Sequence, residues 1–223
     1  RSVTTACPRA ASVQASMSER TSGGEAIVDA LLRHGVDTVF GIPGVQTYGL
    51  FDALQRAGGR LRVIHPRHEQ ATAYMAFGYA KTTGRAGVFS VVPGPGVLNA
   101  GAAICTAYGA STPLLCVTGQ VPSDYIGSGK GHLHELPDQL ATMRSIMKWA
   151  ARIDHPGEAP VVMAEAFAQL AIGRPRPVAV EMPWDMFSAT ADVSPIDPLG
   201  KRANPEPDPD KIAALAKLVD AAK

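Results

Sequence analysis

From residue 86 to residue 123 the chain carries no charged side chain, and no other stretch restricts its fold as strongly. An uncharged run of that length has to be buried, either in lipid or in a protein core. Its punctuation excludes lipid. Pro93, Pro95 and Pro113, with glycines between them, leave no segment near the roughly 20 unbroken apolar residues a membrane-spanning helix needs. The pieces read instead as a strand over 87–92, a turn at Pro93-Gly94-Pro95-Gly96, a helix to about Gly109, and a strand over 114–118 ending at Gly119-Gln120. A strand, a crossover helix and a second strand make a parallel pair.

The same grammar recurs along the chain. Ser22-x-x-Glu25 has capping-box spacing and opens a helix that Gly35 stops. A strand over 38–41 passes through Ile42-Pro43-Gly44 to a helix over 48–56. A strand over 61–65, ended by Pro66, leads to a helix from Glu69 to Gly84. Beyond Gln120 come a glycine-rich loop (Gly127, Gly129, Gly131), a helix near 138–146 and a strand near 148–153. A helix between Pro160 and Gly173 and a last strand over 177–181 complete the series. Short apolar strands alternating with longer helices predict an α/β domain over 22–190: three layers, a doubly wound, mostly parallel six-stranded sheet, helices on both faces. Residues 1–21 read as a flexible leader in which Met17 is a plausible native start. Residues 191–210, with Glu206-Pro-Asp-Pro-Asp210, read as a stiff linker. Residues 211–223 place Ile212, Leu215, Leu218 and Val219 on one helical face, which suggests the first helix of a further, central domain.

Composition narrows the function classes. With 18% charged residues and a formal net charge of +1, there is no basic excess for phosphate backbones, so nucleic acid is not an expected partner. Residues 1–16 contain no apolar core of a secretory signal. The cysteines Cys7, Cys105 and Cys116 are odd in number, and the two in apolar stretches, Cys105 and Cys116, read as free, buried thiols of a reducing, cytoplasmic compartment.

Open parallel sheets bind ligands outside the carboxyl ends of their strands. Four such ends carry unusual residues: Pro43-Gly44, His68-Glu69, Gly94-Pro95-Gly96 with Asn99, and Gly119-Gln120. Glu69, Ala73, Ala76 and Ala80 share a helical face, so Glu69 is expected in a tight, poorly hydrated crevice that raises its pKa. A first-turn carboxylate can equally serve only to complement the helix dipole, and spacing alone leaves both readings open. Gly94-x-Gly96 suggests a dinucleotide turn, but Asn99 stands where the third glycine belongs and no acidic residue follows at the usual distance.

Taken in order, these ends resemble one family. Val39-Phe-Gly-Ile-Pro-Gly44, Arg67-His-Glu-Gln70 with Gly78-Tyr-Ala80 and Thr83-Gly84, Gly94-Pro-Gly96 with Asn99, and Thr118-Gly-Gln120-Val-Pro122 are similar to the N-terminal pyrimidine-binding domain of thiamine diphosphate enzymes. The likeness is to the acetolactate synthase-like branch, with benzoylformate and pyruvate decarboxylases more distant. It covers about residues 24–183. The resemblance implies that Glu69 is catalytic, hydrogen-bonding the aminopyrimidine ring and promoting the tautomer that activates the thiazolium carbon toward a 2-oxo acid. It implies that Pro43, Gly44, Pro95 and Asn99 line the pyrimidine and that Gln120 lies toward the substrate.

The branch usually carries Phe-Gln-Glu after Gly-Gln, whereas this chain has Leu133-His134-Glu135. His132 and His134 are therefore candidates for acid–base work beside the substrate, with a plain loop contact as the alternative, and acetolactate formation itself is put in doubt. His34, His65 and His155 read as structural. No metal ligand set is expected in this chain. The Gly-Asp-Gly motif that holds Mg²⁺ and the diphosphate in the family is absent, so the resemblance implies an inactive fragment of a homodimeric or homotetrameric 2-oxo acid lyase or transferase. FAD, bound by some members, is left open. The competing readings are a non-catalytic nucleotide- or flavin-binding module and a regulatory dimerisation domain. Pro43 weighs against the former, because it removes a backbone donor at the first strand's turn.

Overall fold

A computed structural model of the chain describes residues 19–198 and 206–222. The elements run β1 (Glu19–Ser22), α1 (Gly23–Arg33), β2 (Thr38–Gly41), α2 (Tyr48–Arg56), β3 (Arg62–Ile64), α3 (Glu69–Thr83), β4 (Gly87–Val91) and α4 (Pro95–Gly109). They continue with β5 (Leu114–Gln120), α5 (Gln139–Ile146), β6 (Trp149–Arg152), α6 (Ala159–Ala171), β7 (Val178–Pro183), α7 (Trp184–Ser188), β8 (Thr190–Val193) and α8 (Pro209–Ala221). Six strands form one parallel sheet in the order β3-β2-β4-β5-β7-β6. The doubly wound fold read from the sequence is the fold observed.

The layers follow from side-chain sorting. On one face Ile27, Leu31, Leu50, Leu54, Met163 and Phe187 join α1, α2, α6 and α7 to the sheet. On the other Ala73, Ala76, Val97, Ile104 and Met143 join α3, α4 and α5 to it. The central strands β4, β5 and β7 are buried along their whole length, as expected of strands covered on both sides. Most of the uncharged run from 86 to 123 is accordingly β4, α4 and β5.

Local chemistry sets the boundaries. The Ser22 hydroxyl accepts from the Glu25 amide at 3.3 Å while the Glu25 carboxylate accepts from the Ser22 amide at 3.0 Å, the reciprocal cap anticipated at α1. Those bonds hold the Glu25 carboxyl below its ordinary pKa. Helix α3 ends at Gly84, whose φ of 70° suits glycine. Its alanine face packs so closely that a Cβ on Gly87 of β4 would overlap the Ala76 carbonyl.

Some boundaries differ from the sequence reading. Glu19–Ser22 pairs antiparallel with Thr190–Val193, so the end of the expected 1–21 leader and the start of the expected 191–210 linker belong to one two-stranded ribbon. Helix α7 was not anticipated. Residues 1–18 and 199–205, with Cys7, Met17, most of the expected leader and the middle of the expected linker, lie outside the described residues. Cys116 is buried, and burial beside Glu181 pushes its thiol pKa far up, but Cys105 is exposed, contrary to the expectation of two buried thiols. In α8, Ile212, Leu215, Leu218 and Val219 are exposed. No helix among the described residues is long and apolar enough to cross a membrane.

Candidate functional site

The chain runs from β2 outward to β3, then returns to place β4 on the other side of β2. The connections leaving β2 and β4 therefore diverge, and a crevice opens between their carboxyl ends, as at the switch point of any doubly wound sheet. Pro43-Gly44 leaves β2 and Pro93-Gly94-Pro95 leaves β4. The two turns touch, because Gly44 lies so close to the Val92 side chain that a Cβ would clash. Pro95 is the first residue of α4, a position where its missing N–H costs nothing. Pro43 and Pro95 are exposed.

Glu69 is the first residue of α3. The preceding His68 caps the helix, its Nδ1 accepting from the Gln70 amide at 3.1 Å. Across the crevice Asn99, in the first turns of α4, donates from Nδ2 to Glu69 Oε2 at 3.1 Å. Glu69 Oε1 has no partner among the described residues. Glu69, Asn99 and the two prolines thus sit on the adjoining ends of β2, β3 and β4.

One expectation needs correction. Glu69 is only half-buried and Asn99 is exposed, so the described residues by themselves do not shut the carboxylate in a dry crevice. The alanine stripe below it is buried, with Ala73 and Ala76 at 0% exposure, but the first residue of α3 projects past the end of the sheet. The carboxylate that is fully enclosed is Glu181 in β7, also at 0% exposure, and burial raises its pKa. Its Oε2 accepts from Gln139 Nε2 at 2.8 Å and from Gln120 Nε2 at 3.5 Å, and Arg152 Nη1 approaches Oε1 to 3.5 Å.

Gln120 therefore stands apart from the Glu69–Asn99 pair. It is 4% exposed, its Oε1 accepts from the Val121 amide at 2.7 Å, and its amide donor faces Glu181. It lines a separate cavity of about 280 Å³ with Gln139, Arg144, Arg152 and Glu181. Gln139, which sequence reasoning missed, ties that cavity to the crevice. Its Nε2 donates to Glu181 and to the Gly119 carbonyl at 3.0 Å, while its Oε1 accepts from the Gly94 amide at 2.8 Å. The Gly94 backbone, with φ 60° and ψ −114°, is in a region open to glycine, and a Cβ there would overlap the His134 carbonyl. The signal available in the sequence was a lone Glu in the apolar run Val178-Ala-Val-Glu-Met182.

The histidine loop lies against this turn. His132 packs on Tyr125 with ring centroids 3.9 Å apart, and His134 Nδ1 is 3.1 Å from Gln46 Oε1. Glu135 accepts from the amides of Gly129 (2.9 Å), Gly131 (2.7 Å) and His132 (2.9 Å), which holds its carboxyl below the usual range. Both Glu135 oxygens are thus consumed inside the loop. Of Glu69, Glu135 and Glu181, Glu69 alone offers an oxygen with no partner among the described residues. His34, His65 and His155 make local contacts: to Ala30 O, to Gly41 O, and as the cap that accepts from the Gly157 amide.

Comparison with known proteins adds lineage to geometry. Residues 21–142 match the family model for the thiamine pyrophosphate enzyme N-terminal TPP binding domain. Among curated proteins the chain is 42% identical over 168 residues to the probable 2-ketoarginine decarboxylase AruI of Pseudomonas aeruginosa, covering 75% of this chain and 30% of that protein. It is 35% identical over 211 residues to the acetolactate synthase of Arthrospira platensis, covering 92% and 36%. It is 39% identical over 170 residues to the acetolactate synthase isozyme 3 large subunit of Escherichia coli, covering 76% and 29%. The chain therefore spans about a third of the length of these relatives.

Proposed function

The chain belongs to the thiamine pyrophosphate enzyme family as its N-terminal TPP binding domain, and on that footing we propose that it is the pyrimidine-binding part of an enzyme acting on 2-oxo acids. The observation that carries the reading is the Glu69–Asn99 pair at the switch point, with one carboxylate oxygen still open to a donor. A ring nitrogen that must be held by an acceptor is what such an oxygen suits, and exposed Pro43 and Pro95 offer flat apolar walls beside it. The residues fit the cofactor. Thiamine diphosphate supplies, when bound, a carbon nucleophile and an electron sink for the cleavage of a 2-oxo acid. In this reading the chain's tasks are to anchor the pyrimidine at Glu69, to orient Glu69 through Asn99, and to fix the Pro95 turn through Gln139.

We assign the closing of the crevice to a second copy of the chain. Tyr74, Met75 and Leu98, on α3 and α4, are exposed at 38%, 38% and 51%, and covering them would also dehydrate Glu69. No group of three potential metal ligands occurs among the described residues, so Mg²⁺ for the diphosphate is proposed to be held elsewhere in the assembly. The active protein is taken to be a cytoplasmic homodimer or homotetramer.

Within the family, the histidines at 132 and 134 favour decarboxylation over carbon–carbon bond formation, because an imidazole that takes up a proton beside the substrate and returns it promotes release of an aldehyde. The likeness to the probable 2-ketoarginine decarboxylase agrees with that preference. The test is an assay of the purified gene product with thiamine diphosphate and Mg²⁺ against pyruvate and guanidino-substituted 2-oxo acids, reading carbon dioxide, aldehyde and acetolactate. Aldehyde formation that falls by about 100-fold or more in Glu69→Gln supports the proposal. Acetolactate as the sole product would overturn the decarboxylase preference, and full activity in Glu69→Gln would overturn the site.

A further inference from the structure

We infer that Gln46 is a positioning residue that fixes His134 as a single tautomer, protonated at Nδ1, so that the imidazole meets the substrate with the Nε2 lone pair. Gln46 lies in the 3-10 turn Val45–Thr47, directly after Pro43-Gly44, and is 2% exposed. Its Nε2 donates to the Leu133 carbonyl at 2.8 Å. A carbonyl only accepts, so this bond decides which end of the amide is which. Oε1 is thereby turned toward His134 Nδ1, 3.1 Å away. An amide oxygen also only accepts, so Nδ1 carries the proton, and the neutral ring keeps its lone pair on Nε2, which has no partner among the described residues.

The surroundings show that this placement is imposed. His134 has φ 66°, a left-handed conformation uncommon outside glycine and kept where neighbours hold it. Three groups hold it here: the Gln46 amide grips residues 133 and 134, Glu135 ties the preceding turn, and the His134 carbonyl rests against Gly94. The ring is thus fixed at the seam between the Pro43 and Pro95 turns. Its unprotonated nitrogen can take a proton there and return it without breaking the bond to Gln46. This inference rests on the functional reading above for its purpose, though not for its geometry.

Histidine ¹⁵N spectra of the 223-residue chain near pH 8, above the ordinary histidine range, test it directly. The His134 signal is assigned by its loss in His134→Gln. The wild-type ring is expected in the Nδ1–H form. In Gln46→Leu the signal should move toward the Nε2–H form, while Gln46→Glu, which keeps an acceptor, should retain Nδ1–H. An Nε2–H signal in the wild type, or an unchanged signal in a folded Gln46→Leu, overturns the inference. If Gln46→Leu does not fold, the wild type and Gln46→Glu decide the matter. In the active gene product Gln46→Leu should lower kcat about tenfold with little change in KM, and equal loss in the double variant with His134→Gln would show that the two act together. An Nδ1–H signal in the chain, beside a gene product that turns over no 2-oxo acid with thiamine diphosphate and Mg²⁺, would overturn the functional reading and leave the tautomer standing.

Discussion

Asn99 and Glu69 come from different helices, and the 3.1 Å bond between them turns two sequence-distant side chains into one acceptor with a defined direction. If Glu69 anchors the pyrimidine, Glu69→Gln should slow proton exchange at C2 of bound thiamine diphosphate by orders of magnitude. An unchanged exchange rate, measured by NMR after rapid quenching, would remove Glu69 from that role. Asn99→Ala should have a smaller effect of about 10-fold, because it frees the carboxylate's direction without removing its charge. Local spelling made Glu69, Pro43 and Pro95 legible, since each follows a strand and opens or precedes a helix. Gln46, Gln139 and Glu181 were not legible. Their partners lie 88, 45 and 42 residues away, and a lone amide or carboxylate in a sequence does not announce which distant group it will meet. Gln120 was noticed for its place after Gly119, but nothing in the sequence indicated that its amide would turn inward to Glu181.

The elements depend on close approach between small residues. Gly87 lets α3 lie against β4 at a distance no side chain would permit, and Gly87→Ala should cost about 1–3 kcal/mol through the shift it forces, measurable as a lower urea midpoint. Strand β7 bears the opposite kind of burden, a carboxylate shut away from solvent among Gln120, Gln139 and Arg152. Burial raises the Glu181 pKa, so the folded state favours the protonated form. As pH rises above the ordinary carboxylate range and through the raised value, the fold loses stability relative to the unfolded chain. Glu181→Gln should therefore melt above the wild type at pH 8, by about 2–4 °C per kcal/mol recovered, and the gap should close toward pH 4. A gap that widens in acid would show that hydrogen bonding to the charged form outweighs desolvation. Most strands and helices could be read in advance because apolar runs, prolines and glycines mark them sharply. Helix α7 has five residues and β8 four, too few for a periodic pattern to register.

For the whole molecule, the central question is what closes the crevice. If a second copy closes the crevice and Mg²⁺ and the diphosphate are held elsewhere in the assembly, as proposed above, the polypeptide of 223 residues assayed alone should not turn over pyruvate; any steady release of carbon dioxide would contradict that division of labour. The three-layer architecture could be foreseen from the alternation of strands and helices, but the ribbon of β1 with β8 could not, because nothing local to either segment points to the other.

That ribbon couples the earliest described residues to others some 170 positions later, through pairs such as Thr21 with Ala191. Peeling away either segment strips the other of its hydrogen bonds, so the two should lose protection as one event. Deuterium uptake at the amides of 19–22 and 190–193 should share a single opening rate, and a protease that nicks one border should expose the other.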